Sequence, residues 1–290
     1  MGGMFGESKF QVLSAVSQKF RPKSILISPP TSVDEVIRVI NENGFSFPVV
    51  FKPDIGERGF MVKRIFSSTD VALYLEKMHH AFIVQELVDL PLEFGVFYRR
   101  LPSESKGAVV SVVMKEMLSV TGDGRSTLEE LIHAKDRAKI HAERLKIDHA
   151  PLWNKIIPAG DTIELVSIGN HCLGTKFINA NHLITPRLSE TFDLISREIE
   201  GFYFGRYDLR CNSIDDLYDG KVQIMELNGC GAEPAHIYDP DFSFLEAMGT
   251  LTTHWKTIFL IAQENRARGH RFIPLGEAVG HYKNFKNKLR

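Results

Sequence analysis

Cysteine is scarce in this chain and poorly placed for cross-linking. The 290 residues include three, Cys172, Cys211 and Cys230, widely spaced and odd in number. That excludes a disulfide framework and a paired Cys-x-x-Cys metal site, and it fits a reducing, cytoplasmic setting. A dominant charge is missing too. The net charge is −1, so no overall field draws the chain to nucleic acid or to an anionic membrane. The basic tail HYKNFKNKLR is expected to be a frayed, solvated terminus. Long apolar runs are absent: the longest, AVVSVVM, is too short to cross a bilayer. The N-terminus carries no apolar core of a secretion signal. Repeats, low-complexity tracts and Pro/Gly/Ser linkers are absent as well, so two subdomains sharing one surface are expected rather than two independent domains. Neither the GK[ST] of a P-loop nor a GxGxxG dinucleotide fingerprint occurs.

What remains is an ordinary globular composition, 43% hydrophobic and 24% charged. Helical spacing covers residues 8–19, and the Arg21-Pro22 pair stops it. A short strand is expected at SILIS. The helix TSVDEVIRVINENG has Ser32 as its cap, Glu35 three residues on and Gly44 at its end. Two β-like runs follow, FPVVFKP and GFMVKRI, then a capped helix in STDVALYLEKMHH and a strand in AFIVQELV. Residues 1–85 thus read β-α-β-β-α-β, an α+β unit rather than a doubly wound sheet. The remainder is strand-rich at first, in LEFGVFYRR and GAVVSVVMKEML. A Gly-Asp-Gly turn leads to a helix with Ser126 and Glu129 at capping-box spacing. Strands are expected at TIELVSIG and KFINAN, a helix over 188–201, a strand at YFGRYDLR, and a long closing helix over 241–269.

The stretch VQIMELNGCGAEP carries the first chemical signal. Side chains alternate faces along a strand, so Glu226 and Asn228 share one face while Met225 and Leu227 take the other. By the same rule Arg206, Asp208 and Arg210 share a face of YFGRYDLR. The link between the two strands is turn-rich, and an antiparallel pairing brings Asp208 beside Glu226 and Asn228. Adjacent carboxylates repel unless a cation lies between them. Three hard oxygen donors with no His or Cys nearby suit Mg²⁺ or Mn²⁺ rather than zinc. The arginines point to an anion such as phosphate on the same face. The alternative is a hairpin with one wet, charged face.

The second signal is Lys52, at the end of the apolar strand FPVVFKP. The loop after it contains Gly56 and Gly59 before the next strand begins. A glycine-bearing hairpin can fold its backbone N–H groups over phosphates while a lysine supplies charge. A surface hairpin with a solvated lysine is the alternative. Cys230 lies between Gly229 and Gly231; no base is placed for it, and the glycines suit a backbone turn close to a ligand.

Taken together, Lys52 in VVFKP, the acidic VQELVDLPLE and the set Asp208…Glu226-x-Asn228 resemble the ATP-grasp superfamily in order and spacing. The likeness extends to D-alanine–D-alanine ligases, and TGDGRSTLEELI resembles cyanophycin synthetase-type ligases. The resemblance implies an α+β ATP-grasp fold of two subdomains, residues 1–85 and 86–290, with ATP between them. It implies that Lys9 and Lys52 bind phosphates and that the loop 54–60 closes as a lid. Gln85 would read the adenine amino group, with the backbone of Glu86 and Val88 meeting the ring, and Glu93 would hold the ribose hydroxyls. Asp208, Glu226 and Asn228 would ligate two Mg²⁺ ions, for which Mn²⁺ can substitute, and Arg206 would lie at the transferred phosphate. SIGNHCLGTKFIN resembles the loop that precedes the metal strands and carries Asn170 and Lys176; Gly174-Thr175 stands where the family usually has a glycine pair.

The activity implied is an ADP-forming carboxylate–amine ligation through an acyl phosphate, on small-molecule or peptide-like substrates. A small-molecule kinase on the same fold and a non-catalytic ATP-binding regulator are the alternatives. Related ligases usually carry a further N-terminal domain that holds the carboxylate substrate, and Lys9 stands too near the start of this chain for one. A small pocket, a partner or second copy that completes it, or a chain that is one piece of a longer protein would each account for this. By position, Arg210, Glu233 and His236 are the candidate substrate contacts, Glu233 for an amine and Arg210 for a carboxylate.

Overall fold

The computed structural model describes residues 3–288 apart from 5, 57–58, 167–168 and 170. The first helix, α1 (Lys9–Ser14), starts where the Ser8 hydroxyl accepts the Gln11 amide at 3.1 Å. Strand β1 (Ser24–Ile27) follows, then α2 (Val33–Glu42), capped by Ser32 through the Glu35 amide. Two acidic residues in its first turn favour the positive end of the helix dipole. Gly44 ends it at φ +62°, a conformation that suits glycine. Next come β2 (Val49–Pro53), β3 (Lys63–Ile65), α3 (Ser68–Leu75) and β4 (Phe82–Glu86).

The four strands form one antiparallel sheet in the order β1-β4-β2-β3. Val36 and Ile40 from α2 and Val71 from α3 pack onto Phe51, Phe82 and Val84 of the sheet. The Phe51, Tyr74 and Phe82 rings meet at 5.2–5.4 Å between centroids. The expected β-α-β-β-α-β order is therefore the observed one, with β3 shorter than the run GFMVKRI suggests.

The second large sheet is built from β5 (Leu92–Arg99), β6 (Ala108–Glu116), β9 (Lys176–Asn179), β10 (Phe204–Cys211) and β11 (Gln223–Asn228), in the order β11-β10-β5-β6-β9. Between β6 and β9 the chain forms β7 (Ser119–Thr121), α4 (Leu128–Ala134), α5 (Asp136–Lys139), α6 (Ala142–Asp148) and β8 (Thr162–Glu164). Helix α7 (Pro186–Arg197) precedes β10 and places Leu188, Phe192 and Ile195 against Phe94, Tyr207 and Ile224 of the sheet. The link from β10 to β11 is not wholly turn: it holds α8 (Ile214–Tyr218), capped by the Ser213 hydroxyl. The long closing helix is α9 (Phe244–Ala267). The expectation of a frayed tail is corrected, because the C-terminal segment forms α10 (Leu275–Lys288) with Phe285 buried. The fold is α+β with antiparallel strand pairs.

By compactness the chain divides into two units, Met1–Met114 with Asn179–Arg290, and Lys115–Ile178. The second unit has its own core of Leu118, Leu128, Ile132, Leu145, Trp153 and Ile157. Its helix α4 does have a capping box, one residue later than Ser126 and Glu129 suggest. Thr127 accepts from the Glu130 amide at 3.3 Å, and the Glu130 carboxylate accepts the Thr127 amide at 2.7 Å. Ser126 is drawn away by Asp123, which accepts its amide at 2.7 Å and its hydroxyl at 2.8 Å. Among the described residues no helix is long and apolar enough to cross a membrane.

Candidate active site

The site is organised by the pairing of β10 with β11. Asp208 stands directly across from Glu226, and Arg206 across from Asn228. The register slips immediately after Asp208, so that Met225 is the extra residue of a bulge. The Asn228 amide donates to Asp208 Oδ2 at 3.0 Å. Arg206 donates to Asp208 from Nε and Nη2, both at 3.1 Å, and from Nη1 to the Glu233 carbonyl at 3.1 Å. The bidentate geometry holds the Asp208 carboxylate in one orientation. Burial disfavours the Arg206 guanidinium, and the Asp208 charge more than offsets that, so its pKa rises further.

Strand β2 and helix α1 deliver Lys52 and Lys9 to the same place. Asp54, just past β2, accepts the Ser8 hydroxyl at 2.8 Å and the Phe10 amide at 2.9 Å, while its carbonyl accepts the Lys9 amide at 3.0 Å. One buried carboxylate therefore fixes the start of α1, and with it Lys9. The Lys9 ammonium forms an ion pair with the Glu226 carboxylate. Lys52 is buried and donates to Gln85 Oε1 at 3.1 Å and to the Met225 carbonyl at 3.0 Å. Gln85 is held in turn by its own donation to the Ser24 hydroxyl at 3.2 Å.

This is a crowded charge cluster, and its titration reflects that. Burial, reinforced by Lys9, lowers the Lys52 pKa to about 8 against the pull of Glu226 and Asp208. Burial alone would raise the Glu226 pKa, but Lys9 and Lys52 hold it well below the usual carboxylate range. Lys9 is disfavoured by burial and more than compensated by Glu226, which keeps it protonated. Together these shifts favour an ionised Glu226 beside a protonated Lys9.

The donor set fits a hard divalent ion. Asp208, Glu226 and Asn228 offer carboxylate and amide oxygens and no soft ligand. Among the described residues no group of three His, Cys, Asp or Glu side chains is arranged to hold a metal, so two carboxylates and an amide are what this site offers.

The other expected site residues divide. Glu93 lies across β5–β10 from Arg210, and Arg210 Nε donates to it at 2.8 Å. Arg210 also donates to the Val88 carbonyl at 3.3 Å. Arg210, expected to meet a substrate carboxylate, is therefore committed to Glu93 and to the Val88 carbonyl. His236 is corrected as well. It is buried, its Nδ1 lies 2.7 Å from the Ser111 hydroxyl, and its ring stands edge-on to Phe242. Burial lowers its pKa to about 4, and the ring is packed against Ser111 and Phe242 rather than exposed for a substrate. Glu233 stays exposed, with its carboxylate bonded by the Tyr238 hydroxyl.

Glu86 is exposed, and its amide donates to the Lys23 carbonyl at 2.9 Å. Gly56 and Gly59 lie in the β2–β3 connection, Gly59 at φ +72°, while residues 57 and 58 fall outside the described residues. Lys176 opens β9 in the second unit, half-buried, and Asn170 lies outside the described residues.

Two residues of the site escape a reading of the sequence alone. Asp54 passes there for a loop acid, although its place right after Lys52-Pro53 is a signal. Gly95 sits inside the apolar run LEFGVFYRR, where a glycine marks a close approach. A Cβ there would meet Val113 at 2.8 Å, Arg206 at 3.2 Å and Asp208 Oδ1 at 3.3 Å.

No protein-family model and no curated protein matches the chain. Solved structures do resemble it. One is a D-alanine–D-alanine ligase from Bacillus anthracis, with a TM-score of 0.49 and 12% identity, over 91% of this chain and 69% of that one. Another is the VanG D-Ala:D-Ser ligase from Enterococcus faecalis, with a TM-score of 0.47 and 13% identity, over 86% of this chain and 61% of that one. A third is a bifunctional glutathione synthetase from Pasteurella multocida, with a TM-score of 0.39 and 15% identity over 88% of this chain. The chain spans 38% of the length of that synthetase.

Proposed function

We propose that this chain is an ATP-grasp enzyme that joins a carboxylate to an amine at the expense of ATP. The observation that carries the reading is the Asp208–Glu226 register, with Asn228, Arg206, Lys9 and Lys52 gathered on it. Opposed carboxylates ringed by three cations suit a centre that binds a polyphosphate together with a divalent ion. The ATP-grasp resemblance of the sequence assigns the same six residues to that task.

In this reading Asp208, Glu226 and Asn228 would hold magnesium, which would supply neutralisation of phosphate charge. Lys52, oriented by Gln85 and the Met225 carbonyl, meets the phosphates. Lys9 exchanges its carboxylate partner for a phosphate oxygen. Arg206 stabilises charge on the transferred group. A substrate carboxylate oxygen attacks the γ-phosphorus and the bond to the ADP oxygen breaks, leaving an acyl phosphate. The amine nitrogen then attacks the acyl carbon, the carbon–oxygen bond to phosphate breaks, and the nitrogen loses a proton. Neither step needs a protein nucleophile; positioning and charge neutralisation are the protein's contribution. The glycine-bearing loop between β2 and β3 is suited to keep water from the acyl phosphate.

The deciding experiment is ATP turnover with magnesium over a panel of amino acids, polyamines, sugars and polyols, with products identified by mass. Phosphate release coupled to a condensed product supports the ligase. A product heavier by one phosphoryl group makes the chain a kinase instead. Tight nucleotide binding with no turnover on any acceptor makes it a regulator.

A further inference from the structure

Helix α9 carries two apolar stripes, and its fold covers only one of them. Inward, His254 and Ile261 are buried, His254 against Phe97 and Phe204. Outward, Leu245 is 79% exposed, Met248 48%, Trp255 52% and Phe259 59%. A contiguous exposed apolar stripe of this kind marks an interaction surface, so the outer face suits a partner.

We propose that this face is a two-fold interface with a second copy of the chain, formed by antiparallel pairing of α9. The spacing supports it. Leu245, Met248, Thr252, Trp255, Phe259 and Ala262 recur at alternating steps of three and four, the seam of helices packed side by side. Antiparallel pairing about the middle of this seam maps it onto itself. Leu245 then opposes Ala262, Met248 opposes Phe259, and Thr252 opposes Trp255. In two of these layers a large side chain meets a small one, the size alternation that close packing requires. Parallel pairing would instead put Trp255 on Trp255 and Phe259 on Phe259. No charged side chain lies in the seam.

The area also fits. With the adjacent exposed Phe244 the face presents on the order of 600 Å² of apolar surface, taking roughly 200 Å² per such side chain. That is at the top of the roughly 300–600 Å² of the largest patch on a typical monomer, and it is a large share of the ~800 Å² each partner gives to a standard interface. A self-complementary patch closes as a dimer and leaves no free end.

The test is sedimentation of the whole chain over a dilution series, alongside Trp255→Glu and Thr252→Glu. Both positions are exposed, and far-UV circular dichroism verifies that the variants fold. The wild type is expected to be a dimer, with each variant dissociating at least about 30-fold more readily, the loss a central interface residue produces. A mixture of Leu245→Cys and Ala262→Cys chains should cross-link under mild oxidation beyond the wild-type background, and Leu245→Cys alone should not. A wild type that stays monomeric overturns the proposal, whether or not it co-sediments with anionic lipid vesicles. So does a dimer that both glutamates leave intact, or one in which Leu245→Cys cross-links to itself.

Discussion

Gly95 lies directly across the β5–β10 pair from Asp208, and the absence of a side chain there is what leaves room for the carboxylate and its arginine. A methyl group at this position would press on Val113 from one side and on Arg206 and Asp208 from the other. Gly95→Ala is therefore expected to lower stability by about 1–3 kcal/mol, the usual cost of overpacking. It should weaken Mn²⁺ binding as well, because Asp208 and Arg206 must shift. Thermal unfolding and Mn²⁺ titration by electron paramagnetic resonance check the two effects separately. A variant that loses stability with unchanged ion affinity would make Gly95 a packing residue only.

Glu226 carries the charge that pairs with the half-buried Lys9 and offsets the burial of Lys52. Glu226→Gln preserves shape and removes that charge. Magnesium-dependent ATP turnover should fall by roughly 100–1,000-fold, the scale of losing one electrostatic stabiliser in a closed site. Divalent-ion affinity should fall with it, while the circular dichroism spectrum stays that of the native chain. Near-native turnover would remove Glu226 from the site and with it the proposed chemistry.

Most of the first sheet and the β10–β11 pair were legible in the sequence because each rests on a local signal: Ser32 and Gly44 bracket α2, and alternation puts Glu226 and Asn228 on one face. Partners that depend on distant register were not legible. Arg210 has the composition of a ligand contact, yet the β5–β10 pairing sets it on Glu93. His236 looks free in the sequence, and only the fold brings Ser111 and Phe242 against it. The α4 cap shows the limit of local reading too, since Ser126–Glu129 and Thr127–Glu130 have the same spacing and only the turn at Asp123 separates them.

That last distinction can be measured. Thr127→Ala removes the acceptor at the start of α4 and should cost about 1 kcal/mol, as loss of an N-cap usually does. Ser126→Ala removes an exposed hydroxyl bond to Asp123 and should cost less. Denaturant unfolding of the two variants ranks them. The reverse order would move the cap back to Ser126.

The buried His236 makes stability depend on pH in a definite direction. Its pKa is lowered to about 4 by burial, while an unfolded histidine titrates near 6.5. Between those values the unfolded chain binds a proton that the folded chain does not, so stability falls as pH drops from 6.5 towards 4. One such group contributes a slope of at most about 1.4 kcal/mol per pH unit. His236→Asn keeps an oxygen able to accept from the Ser111 hydroxyl and cannot take up a proton. It should be less stable than the parent at neutral pH, having lost packing against Phe242, but the gap should narrow as the pH is lowered. Unfolding of parent and variant at matched pH values between 4 and 7 isolates this term, because the carboxylates that also titrate there are common to both. A gap that stays constant across the range would mean that His236 takes up its proton in the fold as readily as in the unfolded chain, and below pH 6.5 the Ser111 hydroxyl would then have to act as acceptor.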